Sequence, residues 1–491
     1  MVDTLGNQSV LLVGLGESGL ACARWVLAQG ARLTVVDSRE TPPGLAQLQA
    51  QYPGIQSHLS VEQLSWVFDR VLVSPGLPPS HGLMQAVLSR AQAQGTPVDS
   101  ELDLFADALE SLKETRAYGP KVVSITGTNG KTTTTAMVAC LANFSGKTAR
   151  AAGNIGPAAL AALQTALNEN ALPDIWVLEL SSFQLHWTRR LYSDASVVLN
   201  VTQDHLDWHG QMEDYAHDKF HIYSSESLCV VNRDDSWVSR AEIPKGAVSV
   251  GFGLSAPTRQ GDFGLVREGG MLWLAQAYEA QEQNTGRRAK QEAVDVAQKL
   301  LMPTDALQVV GLHNAANALA ALALCSGIGL PMAKLLHGLR VYRGEPHRVE
   351  HVLQIDGIDY VDDSKGTNVG ATVAALKGLA RPVILIAGGE GKGQDFSVLG
   401  EALALHCKHV LLIGKDAAHI AQVAEHSGVP YSYMDSLDAC VAQAHELACA
   451  GDCVLLSPAC ASLDMFNDYA HRAEVFVSAV RALAAERGQP C

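Results

Sequence analysis

The pattern that most narrows the choice of fold is a recurring one. Short apolar runs at residues 10–13, 121–125, 175–178, 196–201, 383–387, 410–413 and 454–456 alternate with loops, most of them glycine-bearing, and Ala/Leu-rich stretches. Short strands alternating with helices imply βαβ units and parallel sheets, so the chain reads as an α/β protein. In such sheets ligands bind beyond the carboxyl ends of the strands, and chemistry is expected in the loops just after these runs. With 491 residues the chain exceeds the roughly 250–300 residues that one core supports. Three parts are read: residues 1–109, opening on a dinucleotide-type fingerprint; 110–345, opening on a phosphate loop; and 346–491, carrying a further α/β series. Residues 276–301, rich in Gln, Glu, Ala, Lys and Arg, read as a surface helix or a mobile insertion.

A formal charge of -15 argues against non-specific binding to nucleic acid or to anionic membrane. It leaves room for anionic small molecules, because local cations and backbone N–H groups hold phosphate inside acidic proteins. Ten scattered Cys without a C-x-x-C read as reduced core thiols rather than a disulfide framework. The first residues run straight into a strand-like segment without a basic n-region, and no apolar run reaches the ~18 residues of a membrane span. The expected location is the cytoplasm.

The first loop is Gly14-Leu15-Gly16-Glu17-Ser18-Gly19, a G-x-G-x-x-G set between a strand-like run and a helical stretch, with Asp37 and Arg39 downstream. Its glycines permit a tight turn and close approach of backbone to a pyrophosphate. The pattern alone leaves open a nicotinamide cofactor, another nucleotide diphosphate or a plain turn. Ser74-Pro75-Gly76 ends a second apolar run and is a strong turn signal.

The second loop, Gly127-Thr128-Asn129-Gly130-Lys131-Thr132-Thr133, is more specific. Backbone N–H groups of such a loop wrap a phosphate, Lys131 reaches the β/γ-phosphates and the Thr132 hydroxyl suits Mg²⁺. Four consecutive Thr from 132 to 135 are poor helix formers, a cost that phosphate binding explains. Two later strand ends carry Glu179 and Asp204-His205. Placed beside the phosphate-loop strand, Glu179 and His205 would face the same phosphates as a modest Mg²⁺ site. Lys219, in Tyr215-Ala216-His217-Asp218-Lys219-Phe220, reads from sequence as a surface lysine on a helix.

Together these segments resemble the Mur ligase family. Its G-T-N-G-K-T-[ST], E-x-S-S-F-Q and N-x-x-x-D-H-x-D patterns correspond to 127–133, 179–184 and 200–207. Gly311-Leu312-His313-Asn314-Ala315-Ala316-Asn317 and Pro346-His347-Arg348-Val349-Glu350 are similar to its next two signatures. Asp363-Ser364-Lys365-Gly366-Thr367-Asn368 and Ser457-Pro458-Ala459-Cys460-Ala461-Ser462-Leu463-Asp464-Met465-Phe466 resemble the branch that adds D-glutamate. Tyr469, where Phe is usual, and Gln203, where an acidic residue is common, depart from the pattern.

The resemblance implies an N-terminal Rossmann-like domain binding a UDP-sugar, a central P-loop-type mononucleotide-binding domain and a C-terminal Rossmann-like domain. It implies ATP and Mg²⁺, an acyl-phosphate intermediate, and a monomer in the cytoplasm serving peptidoglycan synthesis. ATP would meet the 127–133 loop, Asn314, Asn317, Arg348 and Asp363. The UDP-substrate would meet Gly14, Gly16, Ser18, Asp37, Arg39, Ser74, Gly76, Asn154 and Ser181. D-glutamate would meet Lys365, Thr367, Lys392, Ser462 and Tyr469. Lys131, His205 and a carbamylated Lys219 would serve catalysis, with Thr132, Glu179, His205 and that carbamate around metal. Rival readings are a nicotinamide-dependent oxidoreductase, a non-catalytic nucleotide switch, and a related ligase with another amino-acid acceptor.

Overall fold

The computed structural model describes residues 5–62, 64–279, 296–309, 311–379 and 381–489. Its strands form three sheets in chain order. The first holds β1 (Ser9–Val13), β2 (Arg32–Val36), β3 (Ser57–His58), β4 (Arg70–Val73) and β5 (Val98–Asp99), all parallel in the order β3-β2-β1-β4-β5. β1 is buried along its whole length, as a strand covered by helices on both faces must be.

The second sheet holds β6 (Lys121–Thr126), β7 (Ala149–Gly153), β8 (Ile175–Glu179), β9 (Ala195–Val198), β10 (Leu228–Asn232), β11 (Val248–Phe252), β12 (Phe263–Glu268), β13 (Met271–Glu279) and β14 (Val296–Pro303). Its order is β14-β13-β12-β11-β10-β9-β6-β8-β7, parallel from β7 to β12 and antiparallel over the last two pairings. The phosphate-loop strand β6 thus lies between β8 and β9, which brings the Glu179 and His205 loops to its carboxyl end.

Two expectations are corrected here. The run at 196–201 leaves the sheet at Val198, because Asn200 turns aside to bond the phosphate loop. The described ends of 276–301 are neither helix nor loop: residues 276–279 and 296–301 lie in the paired strands β13 and β14, with Ala277 buried between more exposed neighbours, while 280–295 lie outside the described residues.

The third sheet holds β15 (Glu350–Ile355), β16 (Ile358–Asp362), β17 (Val383–Gly388), β18 (Cys407–Ile413), β19 (Tyr431–Tyr433) and β20 (Cys453–Leu456) in the order β15-β16-β20-β17-β18-β19. Only the β15–β16 pair is antiparallel.

The cores reveal how these units are joined. One continuous apolar cluster runs from β1 and the helix Glu17–Ala28, through the helix Glu101–Arg116, into the helix Ala159–Asn168 and Trp176 of β8. Phe105 meets Trp176 edge to face at 5.3 Å. The first two sheets therefore share a core, whereas the third has its own clusters on its two faces.

Glu101 opens the bridging helix at this seam, 3% exposed. Its Oε1 accepts from the Leu160 N–H at 2.6 Å, and its Oε2 is buried without a partner. Burial outweighs that hydrogen bond and pushes the carboxyl up to about 7. A carboxyl whose folded pKa is raised stabilises the fold below its unfolded pKa, and that contribution is lost as pH rises to the folded value. Glu101→Gln should keep the Leu160 bond and flatten the fall in thermal stability between about pH 5 and pH 7, a difference of up to about 3 kcal/mol. Unfolding midpoints of both proteins across that window check this; parallel profiles would refute it.

Candidate active site

β6 ends at Thr126 and the chain turns through 127–130 into the helix Lys131–Phe144. Gly130 has φ +82°, and a Cβ there would lie 2.6 Å from Asn317 Oδ1, so both conformation and space require glycine. The loop is braced from β9: Asn129 N–H donates to Asn200 Oδ1 at 2.8 Å, and Asn200 Nδ2 donates back to Asn129 O at 3.0 Å. Lys131 Nζ donates to the carbonyls of Gly127 and Thr128 at 2.7 and 2.8 Å, and burial lowers its pKa. The Thr run does start a helix. Thr134 and Thr135 are fully buried with unpartnered hydroxyls, so the local cost read from the sequence is real.

Glu179, at the end of β8, is 2% exposed. Its Oε1 accepts from Asn154 Nδ2 at 2.9 Å; its Oε2 is buried and has no partner. His205 follows β9 in the left-handed region, φ +54°, 3.5 Å from Asp204 Oδ2. Burial lowers its pKa, opposed by Asp204 and helped by Lys131.

Lys219 is not a surface lysine. The helix Met212–Phe220 turns it inward, where it is 1% exposed, lies 4.4 Å over the Tyr215 ring and donates to Gly127 O at 3.0 Å. Burial first, and the Lys131 charge second, carry its pKa well below the usual lysine range.

The third unit supplies the other wall. Arg348 Nη2 donates to Thr132 Oγ1 at 2.8 Å, and Asn368 Nδ2 donates to Asn129 Oδ1 at 3.0 Å. Two adjoining clefts result, sharing Asn129, Gly130 and Arg348. One gathers Lys131, Thr132, Asn154, Glu179, His205, Lys365, Thr367 and Tyr469. Lys365 lies 5.1 Å over the Tyr469 ring, and burial, then Arg348, lowers its pKa. The other cleft is more apolar and includes Thr133, Asn314, Asn317 and Asp363. Burial pushes Asp363 up to about 7 against hydrogen bonds from Ser457 and Val349 and the charge of Arg348.

Other expected residues stand apart from these clefts. Asp37 is 1% exposed, accepts from Leu15 N–H at 2.8 Å and is forked by Arg39 Nε and Nη2, each at 2.8 Å. It therefore braces the first glycine loop. Gly14 abuts Ser74, where an added Cβ would lie 2.9 Å from the serine Cβ, so the two loops of the first unit touch. Ser181 caps the helix Ser182–Trp187 in a reciprocal pair with Gln184. Ser462 is buried, and Lys392 adopts φ +51° and contributes to lowering the His205 pKa; neither lines a cleft.

Sequence reasoning did not name Asn232, Phe252, Thr202 or His313 as site residues, yet all line the apolar cleft. Asn232 and Phe252 close β10 and β11, where only sheet order reveals their proximity. His313 lay inside a quoted motif, and burial holds its imidazole at about 4.

Comparison with known proteins gives a consistent answer. Residues 8–99 match the model "Mur ligase MurD-like, N-terminal domain", 125–325 "Mur ligase middle domain", and 347–460 "Mur ligase, glutamate ligase domain". Proteins named UDP-N-acetylmuramoylalanine–D-glutamate ligase from Burkholderia orbicola (strain MC0-3) and Burkholderia pseudomallei (strain 668) are each 52% identical to the chain, over 98% of both partners. The fold is similar to the UDP-N-acetylmuramate-alanine ligase MurC of Thermotoga maritima (TM-score 0.53, 19% identity, 97% of this chain and 100% of that one). It is also similar to MurF from Acinetobacter baumannii (TM-score 0.57, 14% identity, 98% and 92%).

The Arg348–Thr132 bridge gives a direct test of the shared cleft. Arg348→Ala should weaken ATP binding by about 10- to 100-fold, the range of a lost charge-assisted hydrogen bond, with an unfolding midpoint close to the parent's. Titration calorimetry reads the affinity; unchanged binding would remove Arg348 from the nucleotide site.

Proposed function

The chain belongs to the Mur ligase family, and we propose that its three domains, 1–109, 110–345 and 346–491, hold the UDP-substrate, ATP and the amino acid in turn. The reaction is the ATP-dependent addition of D-glutamate to UDP-N-acetylmuramoyl-L-alanine, a step of peptidoglycan precursor synthesis. The observation that carries the reading is the pair of adjoining clefts where the central and third domains meet.

A carboxylate does not condense with an amine in water because its oxygen is a poor leaving group. The L-alanine carboxylate therefore attacks the γ-phosphorus of ATP, forming an acyl phosphate and releasing ADP. The amine of D-glutamate then attacks the acyl carbon, and the tetrahedral intermediate collapses by expelling phosphate, which carries away the proton lost by the amine. Phosphoryl transfer depends chiefly on positioning and charge. Lys131 supplies a partly desolvated cation, Arg348 a second from the facing domain, and the loop braced by Asn200 a fixed set of N–H donors. Asn314, Asn317 and Asp363 would hold the nucleoside. Asn154, Ser181 and the loops around Gly14, Gly16, Ser18, Ser74 and Gly76, with Asp37 and Arg39, would hold the UDP-substrate. Lys365, Thr367, Lys392, Ser462 and Tyr469 would surround D-glutamate.

The residues fit Mg²⁺. Glu179 Oε2 is a buried carboxylate oxygen without a partner, the Thr132 hydroxyl lines the same cleft, and a hard cation takes oxygen ligands of this kind. When bound, Mg²⁺ would neutralise charge on the transferring phosphoryl group. His205 and a modified Lys219 would complete its surroundings.

Lys219 shares the Gly127 carbonyl with Lys131. Two ammonium groups on one acceptor repel, and of the two only Lys219 is fully buried, which favours a neutral amine there. A neutral amine adds to CO₂, forming an N–C bond and releasing a proton, and yields a carbamate. We place the enzyme in the cytoplasm as a monomer, supporting wall growth at cell division. Among the described residues no helix is long and apolar enough to cross a membrane.

The primary experiment follows ADP release with ATP, Mg²⁺, UDP-N-acetylmuramoyl-L-alanine and one amino acid at a time. Release is expected with D-glutamate alone, and release with a different acceptor would overturn the assignment. Lys131→Ala should abolish ADP formation in a folded protein; unimpaired turnover would sink the phosphate-loop role. Lys219→Ala should be inactive and regain turnover with small added carboxylates. Full activity without them would eliminate the carbamate.

A further inference from the structure

Behind Lys219 lies a chain of hydrogen bonds to which the reaction assigns no role. It connects three short helices, each following an element of the catalytic cluster: Ser182–Trp187 after Glu179, Leu206–His209 after His205, and Met212–Phe220, which carries Lys219. The Asp218 carboxylate, nearly buried, lies between two imidazoles. His186 Nδ1 is 2.9 Å from Oδ1 and 3.0 Å from Oδ2, and His209 Nδ1 is 3.0 Å from Oδ2. His209 Nε2 in turn lies 2.9 Å from Ser182 Oγ.

A carboxylate only accepts, so both Nδ1 atoms donate to it, and His209 Nε2 accepts the Ser182 hydroxyl. The ring of Phe183 stacks on His209 at 5.4 Å and meets His205 edge-on at 4.7 Å. The order Ser–His–Asp is that of a nucleophilic triad. Ser182, however, is 2% exposed and lines neither cleft, so no substrate carbonyl reaches it. The chain holds helices together.

What it holds is the rotation of the Lys219 helix. Asp218 and Lys219 are successive residues, roughly 100° apart around the helix axis. Fixing Asp218 against His209 and His186 sets the direction in which Lys219 leaves the helix, towards Gly127 O. We propose that His209 and Asp218 are positioning residues for ligation, locking the Lys219 helix so that its amine stands under the phosphate loop. The proposal rests on the reading that Lys219 serves the reaction.

The test exploits the shape of the imidazole. In His209→Asn the side-chain amide occupies the Nδ1 position and still donates to Asp218. In His209→Gln the amide reaches instead to the Nε2 position and leaves Asp218 without that donor. kcat and the KM values of all three substrates are measured on folded protein, counted by ATP-binding sites, together with unfolding midpoints. His209→Asn should retain kcat within about threefold, whereas His209→Gln should lose roughly 10- to 100-fold in kcat with KM little changed, as expected when a reacting group is displaced by a fraction of an ångström. Asp218→Asn should match His209→Gln and provides the reading if a His209 variant does not fold. Equal kcat for the Asn and Gln variants, or a parent-like kcat for Asp218→Asn, would overturn the proposal. Inactive Lys219→Ala beside a parent-like Asp218→Asn would refute the positioning role alone. Fully active Lys219→Ala would instead remove the reading on which it rests.

Discussion

One carbonyl oxygen carries the central constraint of this molecule. Gly127 O accepts from Lys131, which is half-buried, and from Lys219, which is fully buried. Two full charges cannot share that position cheaply, since Coulomb repulsion grows as water is excluded. The two amines therefore divide their tasks by environment. Lys131 opens onto the cleft with Glu179 and Asp204 near enough to favour its charged form. Lys219 sits behind the loop over an aromatic ring, where burial dominates. The loop geometry, the brace from Asn200 and the inward turn of the Lys219 helix all serve to make that division possible.

The three domains are joined by different physics. The first and central domains share an apolar core that spans the helix Glu101–Arg116, so moving one against the other would expose buried surface at about 25 cal/mol per Å². The third meets the phosphate loop through hydrogen bonds such as Arg348–Thr132 and Asn368–Asn129. Each is worth about 0.5–3 kcal/mol net and can re-form with water. A ligase that must admit an amino acid and release ADP in every turnover needs one seam of the second kind. Because that seam runs across the two adjoining clefts, closing it and completing their walls are the same event.

The sequence made much of this legible because phosphate chemistry is local. Lys131 and Thr132 stand within one turn of a glycine loop, and strand ends such as Glu179 fall where parallel-sheet topology directs them. What it concealed depended on distant packing. Lys219 reads as exposed because a short polar helix carries no sign of the surface it will meet; only the resemblance singled it out. Asn232 and Phe252 became cleft residues through the order of strands in the sheet, which single-sequence patterning does not encode. The described ends of 276–301 misled because their polar residues are the exposed ones of β13 and β14, while Leu274 and Ala277 supply the buried side of β13.

Charge in the cleft differs from charge on the whole chain. The protein is acidic overall, at -15, yet the phosphate cleft gathers Lys131, Arg348 and Lys365 against Glu179 and Asp204. A charged Lys219 behind the loop would add a fourth cation and hold phosphates tightly in every state, including the products. A carbamate there would convert that surplus into an even balance of three against three. The site would then owe its hold on a polyphosphate to a bound divalent cation and to directed N–H groups, both of which are strongest when ATP is correctly seated. Tight binding of that conditional kind would favour the transition state over the ground state, and on the proposed carbamate it would account for burying a lysine at considerable cost.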